Sequence, residues 1–115
     1  MPLSSKYVFV VSMDVDADKE ALFNDVYDTE HVPLICKVPG VRAASRIKGE
    51  DFSMQLAGKT EKKAHGAARY TAIYEIDSPA VLVSPEWAEA SEAGRWPGEV
   101  RPHTRNRSHS LYKVL

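Results

Sequence analysis

The chain of 115 residues is poor in cysteine, with Cys36 alone. No disulfide can close within it, and no zinc site built from paired cysteines can form. It has no long apolar run. The stretch from Tyr7 to Met13 falls far short of the ~20 apolar residues of a membrane span. That stretch ends in acidic residues with no small-residue cleavage pattern, so it does not read as a secretory signal. The default compartment is the cytoplasm. Neither charge is in excess: 15 Lys and Arg face 16 Asp and Glu, for a net charge of −1. That balance argues against a nucleic-acid partner, which usually demands a basic excess. Glycine-rich phosphate loops, a Gly-x-Ser-x-Gly elbow and paired-cysteine motifs are all missing, which argues against nucleotide-dependent and serine-hydrolase chemistry. No internal repeat is visible.

What remains is globular composition, 43% hydrophobic and 27% charged. The length suits one domain spanning 1–115. A deep private cavity inside a single copy is a heavy demand on so short a chain. The small net charge hides an uneven distribution. Residues 14–31 hold seven acids and one base, Lys19, while residues 95–113 hold five bases and one acid, Glu99. The two segments are either solvated faces or partners that meet, within a subunit or across a dimer. The basic segment also suits an anionic small molecule.

Tyr7 to Met13 is β-branched and aromatic and predicts a strand. Asp16 or Asp18 can cap the helix that follows, whose apolar side carries Leu22, Phe23, Val26 and Tyr27. Pro33 should kink or interrupt that helix, and Pro39-Gly40 stops it. Val41 to Lys48 alternates as a half-buried strand. Residues 49–67 read as a long polar connection, with a short helical turn around Phe52 to Leu56. Ala68 to Ile76 is a third strand. Ser78-Pro79 and Ser84-Pro85 each give a cap followed by proline, so the second helix is broken in two and ends near Gly94. Residues 95–106 form a loop, and Arg107 to Val114 is the last strand. The order β-α-β-β-α-β predicts a ferredoxin-like α+β fold: an antiparallel sheet with two helices on one face. Its other face needs cover, which two sheets packed in a homodimer supply.

The segment Tyr27-Asp28-Thr29-Glu30-His31-Val32-Pro33-Leu34, followed by Pro39-Gly40-Val41, resembles the end of the first helix in the dimeric α+β barrel superfamily. Its EthD-like branch is the closest in pattern, with a His-x-Pro-Leu turn leading through Pro-Gly into the second strand. The resemblance implies a homodimer whose sheets form a barrel, with a pocket in each subunit between sheet and first helix. Proteins of that superfamily include cofactor-free monooxygenases, isomerases, cyclases, lyases and haem-using enzymes.

The resemblance makes His31 the first candidate for acid/base work near neutral pH. The alternative is a histidine bonded to carbonyls freed by Pro33. Tyr27 lies four residues earlier, on the same helical face. Arg107, His109 and Leu111 share one face of the last strand. Turned inward, Arg107 can hold a carboxylate or phenolate and His109 can move a proton. Turned outward, they are the polar side of an edge strand. Trp96, between Arg95 and Pro97, closes a pocket or seals a dimer. Tyr74 and Tyr70 share a strand face, against the helices or lining the barrel. Trp87 and Cys36 are read as buried core, and His65 and His103 as surface residues. The histidines lack metal-ligand spacing, so no metal is assigned. No cofactor is assigned either, although a single haem-ligating histidine leaves little trace in sequence.

The function expected is therefore cofactor-free proton transfer on a small aromatic or lactone-like organic acid, by an isomerase, cyclase or lyase. His31, Tyr27 and His109 are the catalytic candidates; Arg107, Trp96 and Tyr74 are the binding candidates. A cofactor-independent monooxygenase and a non-catalytic ligand-binding barrel are the alternatives.

Overall fold

Period-two patterning shapes the main sheet of the computed structural model, which describes residues 3–115. Strands β1 (Tyr7–Val15), β2 (Val41–Lys48), β5 (Tyr70–Ile76) and β6 (Thr104–Lys113) form one antiparallel sheet in the order β2-β5-β1-β6. Between β2 and β5 lie two short strands, β3 (Phe52–Leu56) and β4 (Lys59–Lys63). The ferredoxin-like order holds for the main sheet, as the element pattern predicts.

On β5, Tyr70, Ala72, Tyr74 and Ile76 are all buried and alternate with partly exposed residues. With Val11 and Met13 of β1 they pack on Phe23, Val26, Tyr27 and Ile35 of the first helical run. That burial supplies most of the apolar free energy of the fold. Val10, Ile73, Ile47 and Tyr112 fall on the opposite side of the sheet by register. No helix among the described residues joins them in the core.

The first helical run is segmented. A 3-10 turn (Ala17–Lys19) leads into α1 (Glu20–Val26), then a π turn (Tyr27–His31), then α2 (Val32–Cys36). Pro33 has no N–H to offer the carbonyl one turn back, and its ring crowds that carbonyl. The wider turn placed just before it absorbs the conflict, so the run is re-phased and does not end. Tyr27 and His31 are thereby both buried. Asp16 stands at the N-terminus without a side-chain cap bond. Its carboxylate instead meets Arg105 at 3.3 Å and His103 at 3.6 Å.

The second helix is in two pieces, as the doubled Ser-Pro signal predicts: a 3-10 segment (Pro79–Val83) and α3 (Pro85–Ser91). Ser84 Oγ accepts from the Trp87 N–H at 3.1 Å, while Ser78 makes no such bond. Residues 95–106 are more ordered than a loop. A π turn (Trp96–Val100) and a 3-10 turn (Arg101–His103) precede β6, which begins at Thr104.

The expectation for residues 49–67 fails. Phe52 to Leu56 is a strand, not a helical turn, and pairs with β4 from Phe52↔Lys63 to Leu56↔Lys59. The turn residues Ala57 and Gly58 both have positive φ, 51° and 80°. That is the type I′ requirement of a two-residue hairpin, here met by Ala-Gly where Asn-Gly is the usual signal. The base is held at Gly49, where a Cβ would lie 2.2 Å from the His65 ring. His65 is thus a packing residue, half-buried, with Nε2 3.0 Å from the Ala68 carbonyl. Cys36 also departs from expectation: its residue is exposed, not core.

The acidic and basic segments meet within one subunit. Arg95 reaches Asp25 at 3.1 Å and Glu30 at 2.5 Å, and Arg105 reaches Asp16. Asn106 donates to Asp14 at 2.8 Å. Asn106 itself has φ 55° and lies where β6 gains one residue over β1 between Ser12 and Asp14. This β-bulge lies one residue from Arg107.

Candidate functional site

A cavity of about 390 Å³ lies between the sheet and the helical elements. Its size falls in the usual range for small-molecule sites. The apolar floor comes from Phe9, Val11 and Met13 on β1, which alternate toward the helices. Tyr74 joins them from β5, Tyr27, His31 and Ile35 from the first helical run, and Trp87 and Ser91 from α3. Trp96 and Arg101 come from the segment before β6, and Arg107 and His109 from β6 itself.

The register explains the last two. His109 pairs with Val11, and residues directly opposite on an antiparallel pair point to the same side. Arg107, two residues away, shares that side. The inward alternative is therefore the one realised, although both residues retain exposure on the edge strand. His109 stacks on Phe9 with ring centroids 6.0 Å apart.

All six sequence candidates line this one cavity. Trp96, 4% exposed, is a wall rather than an open-loop aromatic. The Trp96 and His31 rings lie 4.6 Å apart and 25° from parallel, and Tyr27 meets His31 edge-on at 5.1 Å. His31 is 8% exposed, and its Nδ1 is buried without a hydrogen-bond partner. The helix-carbonyl alternative is thus not realised at that nitrogen. Burial, reinforced by the Arg101 cation, pushes its pKa down to about 4, against a weaker opposing pull from Glu92. The imidazole is neutral at neutral pH and keeps a lone pair free.

The Tyr27 and Tyr74 hydroxyls lie 3.4 Å apart inside the core. Burial pushes both phenols above the ordinary tyrosine value. They remain O–H donors across physiological pH. Arg46 packs its guanidinium 4.5 Å from the Tyr27 ring centre, and Asp28 accepts from it at 2.7 Å. This is a cation–π contact on the Tyr27 ring.

The two cavity arginines differ. Arg101 is held by Glu92 through two hydrogen bonds, at 3.1 and 2.6 Å. Arg107 has no carboxylate within ion-pair distance, and among the described residues it is the only arginine of which this is true. Arg101, Phe9 and Glu92 were not among the sequence candidates. Phe9 was legible from its alternation with Val11 and Met13; Arg101 and Glu92 had no sequence signal beyond their charge. Among the described residues no cluster of three His, Cys, Asp or Glu side chains is placed to hold a metal. Among the described residues no helix is long and apolar enough to cross a membrane.

The segment carrying Trp96 is strapped to the first helix. Glu30 accepts from the Arg95 backbone N–H at 3.0 Å and from its guanidinium at 2.5 Å. Gly94 permits the approach. Its φ is 71°, and a Cβ there would lie 2.7 Å from Glu30 Oε1.

This architecture, an antiparallel sheet with helices in a ferredoxin-like α+β arrangement, is shared with solved structures of MhuD and of an EthD family protein. A manganese-porphyrin complex of an MhuD variant, with two manganese protoporphyrin IX molecules per active site, matches with a TM-score of 0.62 at 14% identity. The match covers 95% of this chain and 94% of that one. MhuD from Mycobacterium tuberculosis, described as a heme-degrader with two hemes in its active site, matches with a TM-score of 0.59 at 14% identity, over 95% of each chain. An EthD family protein from Bacillus halodurans matches with a TM-score of 0.58 at 12% identity, over 95% of this chain and 99% of that one. No protein-family model matches the sequence, and no curated protein matches it.

Proposed function

We propose that the cavity binds a small organic acid bearing an aromatic or lactone-like ring and moves a proton within it, without a cofactor. The observation that carries this is Arg107: a cation with no carboxylate of its own, facing an aromatic chamber that also holds a neutral buried imidazole. A cation left unpaired beside apolar walls suits an anion with an apolar body.

The roles follow from the chemistry of each group. Arg107 holds the carboxylate, and Trp96, Phe9 and Trp87 face the ring. His31 takes a proton from carbon next to a carbonyl and returns it at another position, leaving the electron pair on oxygen in between. The Tyr27 and Tyr74 hydroxyls donate to that developing oxyanion. His109 stands beside Arg107 as the second proton carrier. Isomerases, cyclases and lyases all use this step.

Phenylpyruvate is a suitable probe, having an aromatic ring, a carboxylate and exchangeable protons next to a carbonyl. The protein is expected to bind it saturably and to speed exchange of those protons in deuterium oxide. His31→Gln should abolish the exchange while leaving binding in place. Exchange that survives His31→Gln, or no saturable binding of any small aromatic carboxylate, overturns the reading. Oxygen uptake on a bound phenol without added cofactor marks the monooxygenase alternative, and tight binding without conversion the non-catalytic one.

A second reading rests on His31 Nδ1, a buried ring nitrogen without a partner, and on the porphyrins bound in the MhuD structures. The residues fit that group in kind: His31 would ligate iron, the aromatic walls would face the macrocycle, and Arg101 and Arg107 would meet its propionates. Bound haem would supply redox chemistry. A Soret shift on haem titration, lost in His31→Ala, is the test.

The uncovered sheet face supports a homodimer.

A further inference from the structure

We propose that the β3–β4 hairpin is an arm that clasps a second copy of this chain. The inference rests on the homodimer reading above and adds to it an interaction surface outside the sheet.

The hairpin forms its own two-stranded sheet, separate from the main one. An isolated two-stranded hairpin is marginal in water. This one nevertheless carries Phe52, Met54 and Leu56 at period two, all on one side, exposed at 53%, 41% and 46%. Scattered apolar residues on a surface need no explanation, but three in register on a projecting element form a contiguous patch, and such patches mark contacts. None of the three belongs to the core of its own subunit.

The occupant follows from the neighbouring open sheet face and from charge. The hairpin is inserted in sequence between β2 and β5, and the last outward residue of β2 is Ile47, 51% exposed on the uncovered sheet face that needs a second copy. The arm is cationic: Lys59, Lys62 and Lys63 outweigh Glu61, so the rest of the chain carries −3 against +2 on the arm. An arm of that sign is attracted to another copy of its own body. In an isologous pair each copy lends one arm, which doubles the gain.

The test compares the wild-type chain with F52S/M54S/L56S by sedimentation over a concentration series. The wild type is expected to be a dimer, and the variant's dissociation constant should rise about tenfold or more. Its circular dichroism and urea midpoint should stay close to wild type at concentrations where both are monomeric, because the three side chains lie outside the subunit core. A wild-type dimer with the variant unchanged overturns the arm alone. A monomeric wild type overturns the homodimer reading with it. Binding of the monomer to vesicles of anionic phospholipid, lost in the variant, would reassign the patch to a membrane surface and overturn the proposal.

Discussion

The His31 imidazole lies against the Trp96 indole, 4.6 Å between ring centres, with its Nδ1 buried and without a hydrogen-bond partner. The indole is therefore both wall and lid for the histidine. Trp96→Ala should cost about 3–5 kcal/mol in urea unfolding, as removal of a buried aromatic does. Trp96→Phe should cost less. A loss for the alanine variant within the range of a surface change would mean the wall collapses to fill the space.

The buried imidazole sets a pH window. His31 is near 4 when folded and near 6.5 when unfolded, so between those values the unfolded chain binds a proton that the folded one refuses. Stability from this residue is fully present above about pH 6.5 and falls as pH drops toward 4. The loss is about 3 kcal/mol in all and levels off below that. His31→Gln should flatten this part of the curve in urea unfolding at stepped pH. Carboxylates held low by their partners, such as Asp14 and Glu30, act at lower pH and leave the window distinct.

Arg107 is exposed and lacks an ion pair, so it has little structural work to do. Arg107→Gln should change stability by less than about 0.5 kcal/mol. It should weaken benzoate binding about 10- to 100-fold, the value of a charge-assisted hydrogen bond. Calorimetric titration reads both arms, with benzamide as a neutral control that should bind the two proteins alike.

Glu92 and the Arg101 it holds act on His31 with opposite signs. The carboxylate favours the imidazolium, and the arginine it holds disfavours it. Glu92→Gln removes the favourable charge and leaves the cation, so the His31 pKa should fall further. The imidazole proton resonances followed by NMR against pH measure the shift. A rise would mean that Arg101 swings away when released.

Much of this was legible in sequence, for local reasons. The doubled Ser-Pro signal and the alternation on β5 are short-range, and both yielded the right elements. The resemblance around His31-Val32-Pro33-Leu34 pointed to the correct helix, and the parity of Arg107 and His109 was correct without its direction. The hairpin was missed because Ala57-Gly58 is a weak turn signal and β4, Lys59 to Lys63, has no apolar residue to alternate. Cys36 was read as buried because no neighbouring residue signals an activated thiol, and that absence does not report burial; the residue is exposed. Arg101 was invisible because its place depends on Glu92, from another element.

The ends of the segment from Gly94 to Arg101 are pinned by side chains outside it, Glu30 at one end and Glu92 at the other. Trp96 hangs between them as the span of a bridge with fixed abutments. Two of the segment's residues, Trp96 and Val100, are also core, packed with the sheet and the histidine's helix. For a library aimed at new ligands, Trp96 is therefore a wall whose exchange carries a stability cost, while exposed Gly98 and Glu99 between the anchors tolerate change.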